Sequence, residues 1–155
     1  MTKTPQAGEP APDFELPGTD GPFRLSAHRG ERVVLLFYPG DNTPVCAKQF
    51  CSYRDRPEEL AALGATVVGI SAQDLDSHQG FVEKHGLNVP LLADVDGAVA
   101  KLFSAHGRMG TKRAVIVIDE QGVVRHRHDH LLGLDYQSVD ELRAALEALP
   151  APNAA

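Results

Sequence analysis

The chain has no tryptophan, two methionines and only two cysteines in 155 residues, and its 15 lysines and arginines are outnumbered by 21 aspartates and glutamates. Each shortage excludes something. Two cysteines cannot build the dense disulfide framework of a small secreted domain. A formal charge of -6 argues against a broad phosphate-binding surface, because nucleic-acid binders displace counterions with clustered Lys and Arg. No apolar run approaches the roughly 20 residues of a membrane-crossing helix. Met1 to Pro12 also holds no apolar stretch that could act as a signal peptide. Nucleic acid and membrane are therefore not expected as partners, and the cytoplasm is the default location.

The apolar share, 43%, is ample for one globular core, so a single domain over 1–155 is expected, with 1–9 and 151–155 fraying at the ends. Arg32 to Tyr38, Thr66 to Ser71 and Arg113 to Asp119 are apolar at consecutive positions, which predicts central strands covered on both faces. Between the first two runs, Pro44 to Leu63 suits a helix closed by Gly64, giving a βαβ unit. Further helices are predicted over Asp76 to His85, Asp96 to Phe103 and Ser138 to Leu149, the last opened by capping-box spacing of Ser138 and Glu141. Leu91 to Ala93 reads as a short strand, and Val123 to His128 as the partner of the third central run across Glu120, Gln121 and Gly122. The expected class is α/β with a central mixed sheet flanked by helices.

The two cysteines, Cys46 and Cys51, sit five apart just after the first strand run breaks into Pro-Gly-Asp-Asn-Thr-Pro. In a reducing compartment such a pair points to redox chemistry or metal binding. Thr43 followed by Pro44 is a helix-start signal, with threonine able to accept from a first-turn N–H and proline suited to the first helical position. Cys46 then falls in the first turn, where unpaired N–H groups and the positive end of the helix dipole favour a thiolate. Thr43 is either a cap alone or a cap that also touches substrate. Ionisation is not the whole of the chemistry. A free thiol of pKa about 8.5 is roughly 3% thiolate at pH 7, so full ionisation gains only about thirtyfold, or about 2 kcal/mol. The rest must come from donors that stabilise the leaving oxygen. Arg113, at the entrance of an otherwise apolar strand, is the candidate cation, the alternative being a solvated strand end.

Five residues along an ideal helix place two Cα atoms roughly 8 to 9 Å apart, and a disulfide needs less than about 7 Å. The two thiols can join only if the helix between them unwinds. Alternatively they are inert buried thiols that never pair.

Tyr38-Pro-Gly-Asp-Asn-Thr-Pro-Val-Cys46-Ala-Lys-Gln-Phe-Cys51 resembles the active-site segment of peroxiredoxins, with Pro39, Thr43 and Cys46 on the Pro-x-x-x-Thr-x-x-Cys motif. The second cysteine five residues on is similar to the PrxQ, or bacterioferritin-comigratory, branch. Ala11-Pro-Asp-Phe-Glu-Leu, Val68-Gly-Ile-Ser71 and Lys112-Arg113-Ala114 extend the likeness over most of the chain. The resemblance implies a thioredoxin-like fold that reduces hydrogen peroxide and organic hydroperoxides. It also implies that Cys46 is the peroxidatic thiolate and Cys51 the resolving thiol, closing an intramolecular disulfide. Thr43 and Arg113 would bind peroxide and stabilise the thiolate, Pro39 would shield the sulfur, and thioredoxin or a similar dithiol would recycle the pair. No cofactor or metal is implied. Gln49 stands where this branch often has glutamate, and Val45 where glycine is common.

Other readings are weaker. A thioredoxin-type reductase needs Cys-x-x-Cys, and this chain has Cys-x-x-x-x-Cys. His126, His128 and His130 alternate and would share one side of a strand, a spacing that can hold zinc or copper but more often marks a solvated face. Gly107-Arg-Met-Gly-Thr-Lys lacks the glycine spacing of a phosphate loop. His28, His78, His85 and His106 read as surface residues, and Asp94 and Asp96 as turn and helix-start residues. A non-catalytic peroxide sensor would need the same two thiols. Closing the pair leaves no cysteine for a bridge between chains, so a monomer is expected.

Overall fold

The computed structural model describes residues 7–41, 43–107, 110–129, 136 and 138–149. In chain order its strands are β1 (Glu15–Leu16), β2 (Phe23–Arg24), β3 (Arg32–Phe37), β4 (Ala65–Ser71), β5 (Leu91–Ala93), β6 (His106–Gly107), β7 (Gly110–Thr111), β8 (Ala114–Ile118) and β9 (Val124–Asp129). The helices are α1 (Pro44–Arg54), α2 (Pro57–Ala61), α3 (Leu75–His85), α4 (Ala98–Leu102) and α5 (Val139–Glu147). The three continuous apolar runs became β3, β4 and β8, the three central strands of a sheet ordered β5-β4-β3-β8-β9. Alternate residues of each run point to opposite faces. Val33, Leu35 and Phe37 therefore join one core with Phe103 and Phe14, while Val34, Leu36 and Tyr38 join another with Phe50, Tyr53, Phe81 and Leu142. Burial of each such large side chain contributes about 1.5–3 kcal/mol, and five consecutive ones in β3, Val33 to Phe37, make it the spine of the fold.

The pairing directions decide where the chemistry sits. β3 runs parallel to β4, and β4 to β5, whereas β8 runs antiparallel to β3, with Phe37 opposite Ala114. The exit of β3 and the entrance of β8 therefore share one edge. Parallel strands gather functional loops at their carboxyl ends, and here the antiparallel neighbour delivers its own first residues to the same place.

Four sequence expectations need correction. The single helix over Pro44 to Leu63 is two helices, α1 and α2, because Pro57 disfavours helical backbone at the preceding residue, and Arg56 sits at φ -128°, ψ 57°. Residues 7–9 do not fray: Gly8 N–H donates to the Val124 carbonyl at 2.6 Å, and Val124 N–H to the Glu9 carbonyl at 2.8 Å. The rest of the fraying expectation, residues 1–6 and 151–155, lies outside the described residues. The third and fourth corrections, Thr43 and His78, belong to the site below. The predicted capping box at Ser138 and Glu141 is formed, and Val139, Leu142 and Leu146 of α5 are buried. Asp94 and Asp96 accept from the backbone of α4, as turn and helix-start residues do.

Candidate active site

β3 continues into Tyr38, and the chain turns through Pro39, Gly40 and Asp41 before α1 begins. Pro44 is the first helical residue of α1, so Cys46 is the third. Thr43 has the extended backbone of a helix-capping residue (φ -77°, ψ 147°), yet its side chain makes no cap hydrogen bond. Its hydroxyl instead donates to the Gly40 carbonyl at 3.1 Å. This corrects the expected cap and has a physical effect: the Thr43 side chain does not occupy the first-turn N–H groups of α1, which an anion can then meet.

The Cys46 sulfur is fully buried, and Arg113, 2% exposed, donates to it from Nη2 at 3.0 Å. Arg113 is the residue before β8, and the antiparallel register next to β3 carries it there across 67 residues of sequence. Its other terminal nitrogen, Nη1, donates to Gln49 Oε1. Gln49 lies three residues beyond Cys46, and its Nε2 donates to the Tyr53 hydroxyl at 3.0 Å. These two bonds orient the carboxamide, oxygen toward the guanidinium and nitrogen toward the phenol. Burial holds the Tyr53 phenol well above its ordinary pKa, despite the Gln49 hydrogen bond that lowers it, so the hydroxyl stays neutral. The planar fork of arginine thus has one prong on sulfur and one on an amide.

Cys51 is half-buried further along the same unbroken helix, and both thiols are free. Phe50, between them, is fully buried and meets Tyr38, Tyr53 and Phe81 edge-on, with centroids 4.9, 5.9 and 6.2 Å away. Gly69 of β4 makes room for that ring: a Cβ there would stand 2.9 Å from Phe50 Cζ and 2.8 Å from Leu91 Cδ2. Pro39 is exposed at the start of the loop.

Of the expected residues, then, Cys46 and Arg113 meet directly, Thr43 lies at the helix start, and Cys51 stands apart on α1. Sequence reasoning missed the Tyr53 end of the arginine chain, and it misread His78. That ring is fully buried, 2.7 Å from Asp41 Oδ2 and 2.9 Å from the Leu92 carbonyl. The histidine pair of β9 divides differently: His126 is half-buried, His128 is exposed, and His130 lies outside the described residues. Among the described residues no group of three or more His, Cys, Asp and Glu could hold a metal ion.

A buried thiol at a helix start, with a guanidinium on its sulfur and a mixed sheet of this order beneath, defines a thiol peroxidase of thioredoxin-like fold. The comparisons with known proteins agree. Residues 7–127 match the AhpC/TSA family, and the chain belongs to it. Peroxiredoxin Bcp of Bacillus subtilis is 38% identical over 128 residues, covering 77% of this chain and 82% of that protein. The crystal structure of peroxidoxin BcpB from Mycobacterium tuberculosis superposes with a TM-score of 0.82 at 34% identity, over 95% of this chain and 99% of that one. A bacterioferritin comigratory protein from Xanthomonas campestris, described for its alkyl peroxide reduction activity, superposes with a TM-score of 0.79 at 26% identity, covering 92% and 98% of the two chains.

Proposed function

We propose that this thiol-dependent peroxidase reduces hydrogen peroxide and organic hydroperoxides with Cys46 as the attacking sulfur and Cys51 as the resolving thiol. The observation that supports it most is the Arg113 Nη2 to Cys46 Sγ contact of 3.0 Å at the first turn of α1. The thiolate attacks the distal oxygen of the hydroperoxide. As the S–O bond forms the O–O bond breaks, the alkoxide or hydroxide leaves and takes a proton, and Cys46 becomes a sulfenic acid. Negative charge moves from sulfur onto the departing oxygen, and the guanidinium and the first-turn N–H groups stabilise it throughout. Removing one such preorganised donor typically costs about 10²–10³ in rate, or about 2.7–4 kcal/mol.

The Cys51 thiolate then attacks the Cys46 sulfur, hydroxide leaves as water, and the disulfide closes within one chain. Since α1 is a continuous helix from Pro44–Arg54, this step requires it to unwind. A dithiol such as thioredoxin reduces the bond, and Thr43 and Pro39 line the approach to Cys46. A monomer accords with a pair that closes on itself.

The test is peroxide consumption with a thioredoxin recycling system, together with mass spectrometry of the peroxide-treated chain. Expected are many turnovers, an intrachain bond between Cys46 and Cys51, and no consumption by Cys46→Ser. A single equivalent consumed by the wild type would make the chain a sensor. A bond between chains would reassign Cys51.

A further inference from the structure

The loop that leads from β3 into α1 is tied down on the side away from Arg113. Asp41, with only 1% of its side chain exposed, receives three hydrogen bonds on its carboxylate: from the Tyr38 hydroxyl at 2.7 Å on Oδ1, and from Ser77 Oγ and His78 Nδ1, each at 2.7 Å, on Oδ2. The other nitrogen of His78 faces the Leu92 carbonyl at 2.9 Å. The Asp41 backbone N–H donates to Gln73 Oε1 at 3.1 Å, and Gln73 also receives the Ser71 hydroxyl. The fit is close, since a Cβ on Gly40 would come within 2.9 Å of Gln73 Nε2. Gly40 in turn receives the Thr43 hydroxyl. The loop is thereby fastened to β4, α3 and β5 at once.

A buried carboxylate with this many donors is costly to build and costly to disturb. Its hydrogen bonds join Asp41 to Tyr38, Ser77, His78 and Gln73 and not to the sulfur of Cys46. What it fixes is the position of Gly40 and Asp41, and through the Gly40 carbonyl the rotamer of Thr43 at the start of α1.

We propose that Asp41 and His78 are positioning residues for peroxide attack: the clasp between them holds the start of α1 in the attacking geometry and opposes the unwinding that joins Cys46 to Cys51. This rests on the peroxidase reading above. Loosening the clasp should therefore move the two steps in opposite directions, slowing sulfenic acid formation and leaving disulfide closure as fast as in the wild type or faster. A residue that served stability alone would not split the steps in this way.

Stopped-flow single turnovers with hydrogen peroxide separate the two rates in the full chain. Asp41→Asn and His78→Gln are each expected to slow Cys46 oxidation by about 10- to 100-fold, the range that displacement of the order of 1 Å produces. The double variant should be no slower than the worse single one, because the two residues act as one unit. Oxidation at the wild-type rate in a folded variant, or equal slowing of both steps, overturns the proposal. Should both variants fail to fold, Ser77→Ala removes one donor and decides alone: slower oxidation without slower closure supports the clasp, and unchanged oxidation overturns it. The wild type serves as the control for function, since failure of its own Cys46 to react with peroxide would sink the peroxidase reading, whereas a reactive wild type matched by its variants would sink only the clasp.

Discussion

The two cysteines share a helix and little else. Cys46 is fully buried under a guanidinium that is itself held by a second side chain, while Cys51 is half-buried one and a half turns on. Under the proposed function, the contrast follows from what each sulfur must do. Attack on an O–O bond requires charge fixed in place before substrate arrives, because a polar group that must first reorient loses most of its effect. Resolution requires a thiol that can travel, so rigid partners at Cys51 would oppose the reaction. Between them, the anchored ring of Phe50 is expected to set how tightly the helix resists unwinding.

Each prediction acts on one side of that contrast. Cys51→Ser should leave the first oxidation of Cys46 at its full rate and abolish thioredoxin-driven turnover, with the sulfenic acid trapped by dimedone and read by mass. Full turnover by this variant would show that the second thiol is not the resolving one. Next in size, Arg113→Ala should slow single-turnover oxidation by about 10²–10³. Arg113→Lys should restore only part of it, since a point charge cannot serve sulfur and the Gln49 oxygen together. Equal rates for lysine and arginine would mean that charge alone matters. Phe50→Leu, which loosens the ring without leaving a polar gap, should cost about 1–1.5 kcal/mol of stability and speed disulfide closure, followed by the loss of helical circular dichroism on oxidation. Slower closure would show that the ring guides the unwinding.

The smallest effect is a control far from both thiols. Asp119 accepts from the Gln121 and Val123 N–H groups at 2.9 and 3.0 Å and from Arg125 at 2.8 Å. Burial raises its pKa, but these hydrogen bonds and the Arg125 charge outweigh it, and the carboxyl lies below its usual range. A folded pKa below the unfolded one means that the contribution is complete above the unfolded value, about 3.9, and is lost as pH falls from there through the folded value. Asp119→Asn should therefore cost about 2 kcal/mol at pH 7, measured by urea unfolding, less at pH 3, and leave both thiol rates unchanged.

Local patterns were legible and distant pairings were not. Continuous apolar runs named β3, β4 and β8 as central strands because a strand covered on both faces has no polar side to show, and the Ser138–Glu141 spacing named the start of α5. The helix break at Arg56 had a visible cause in Pro57, but the apolar positions on either side masked it. His78 could not be placed, since Asp41 is 37 residues away and the Leu92 carbonyl belongs to another strand. Its polar neighbours in sequence suggested water, when the partners that bury it come from elsewhere in the fold. The same holds for Gln49, whose link to Arg113 spans 64 residues and exists only because β8 returns antiparallel beside β3.

The hydroxyl of Thr43 owns a single hydrogen, and Gly40 takes it. If Thr43 meets the substrate as proposed, what remains for an incoming molecule is an acceptor oxygen, so the visitor has to supply its own O–H, as every hydroperoxide does and no dialkyl peroxide can. A bond that looks like loop tidying would then act as a chemical filter at the threshold of the sulfur.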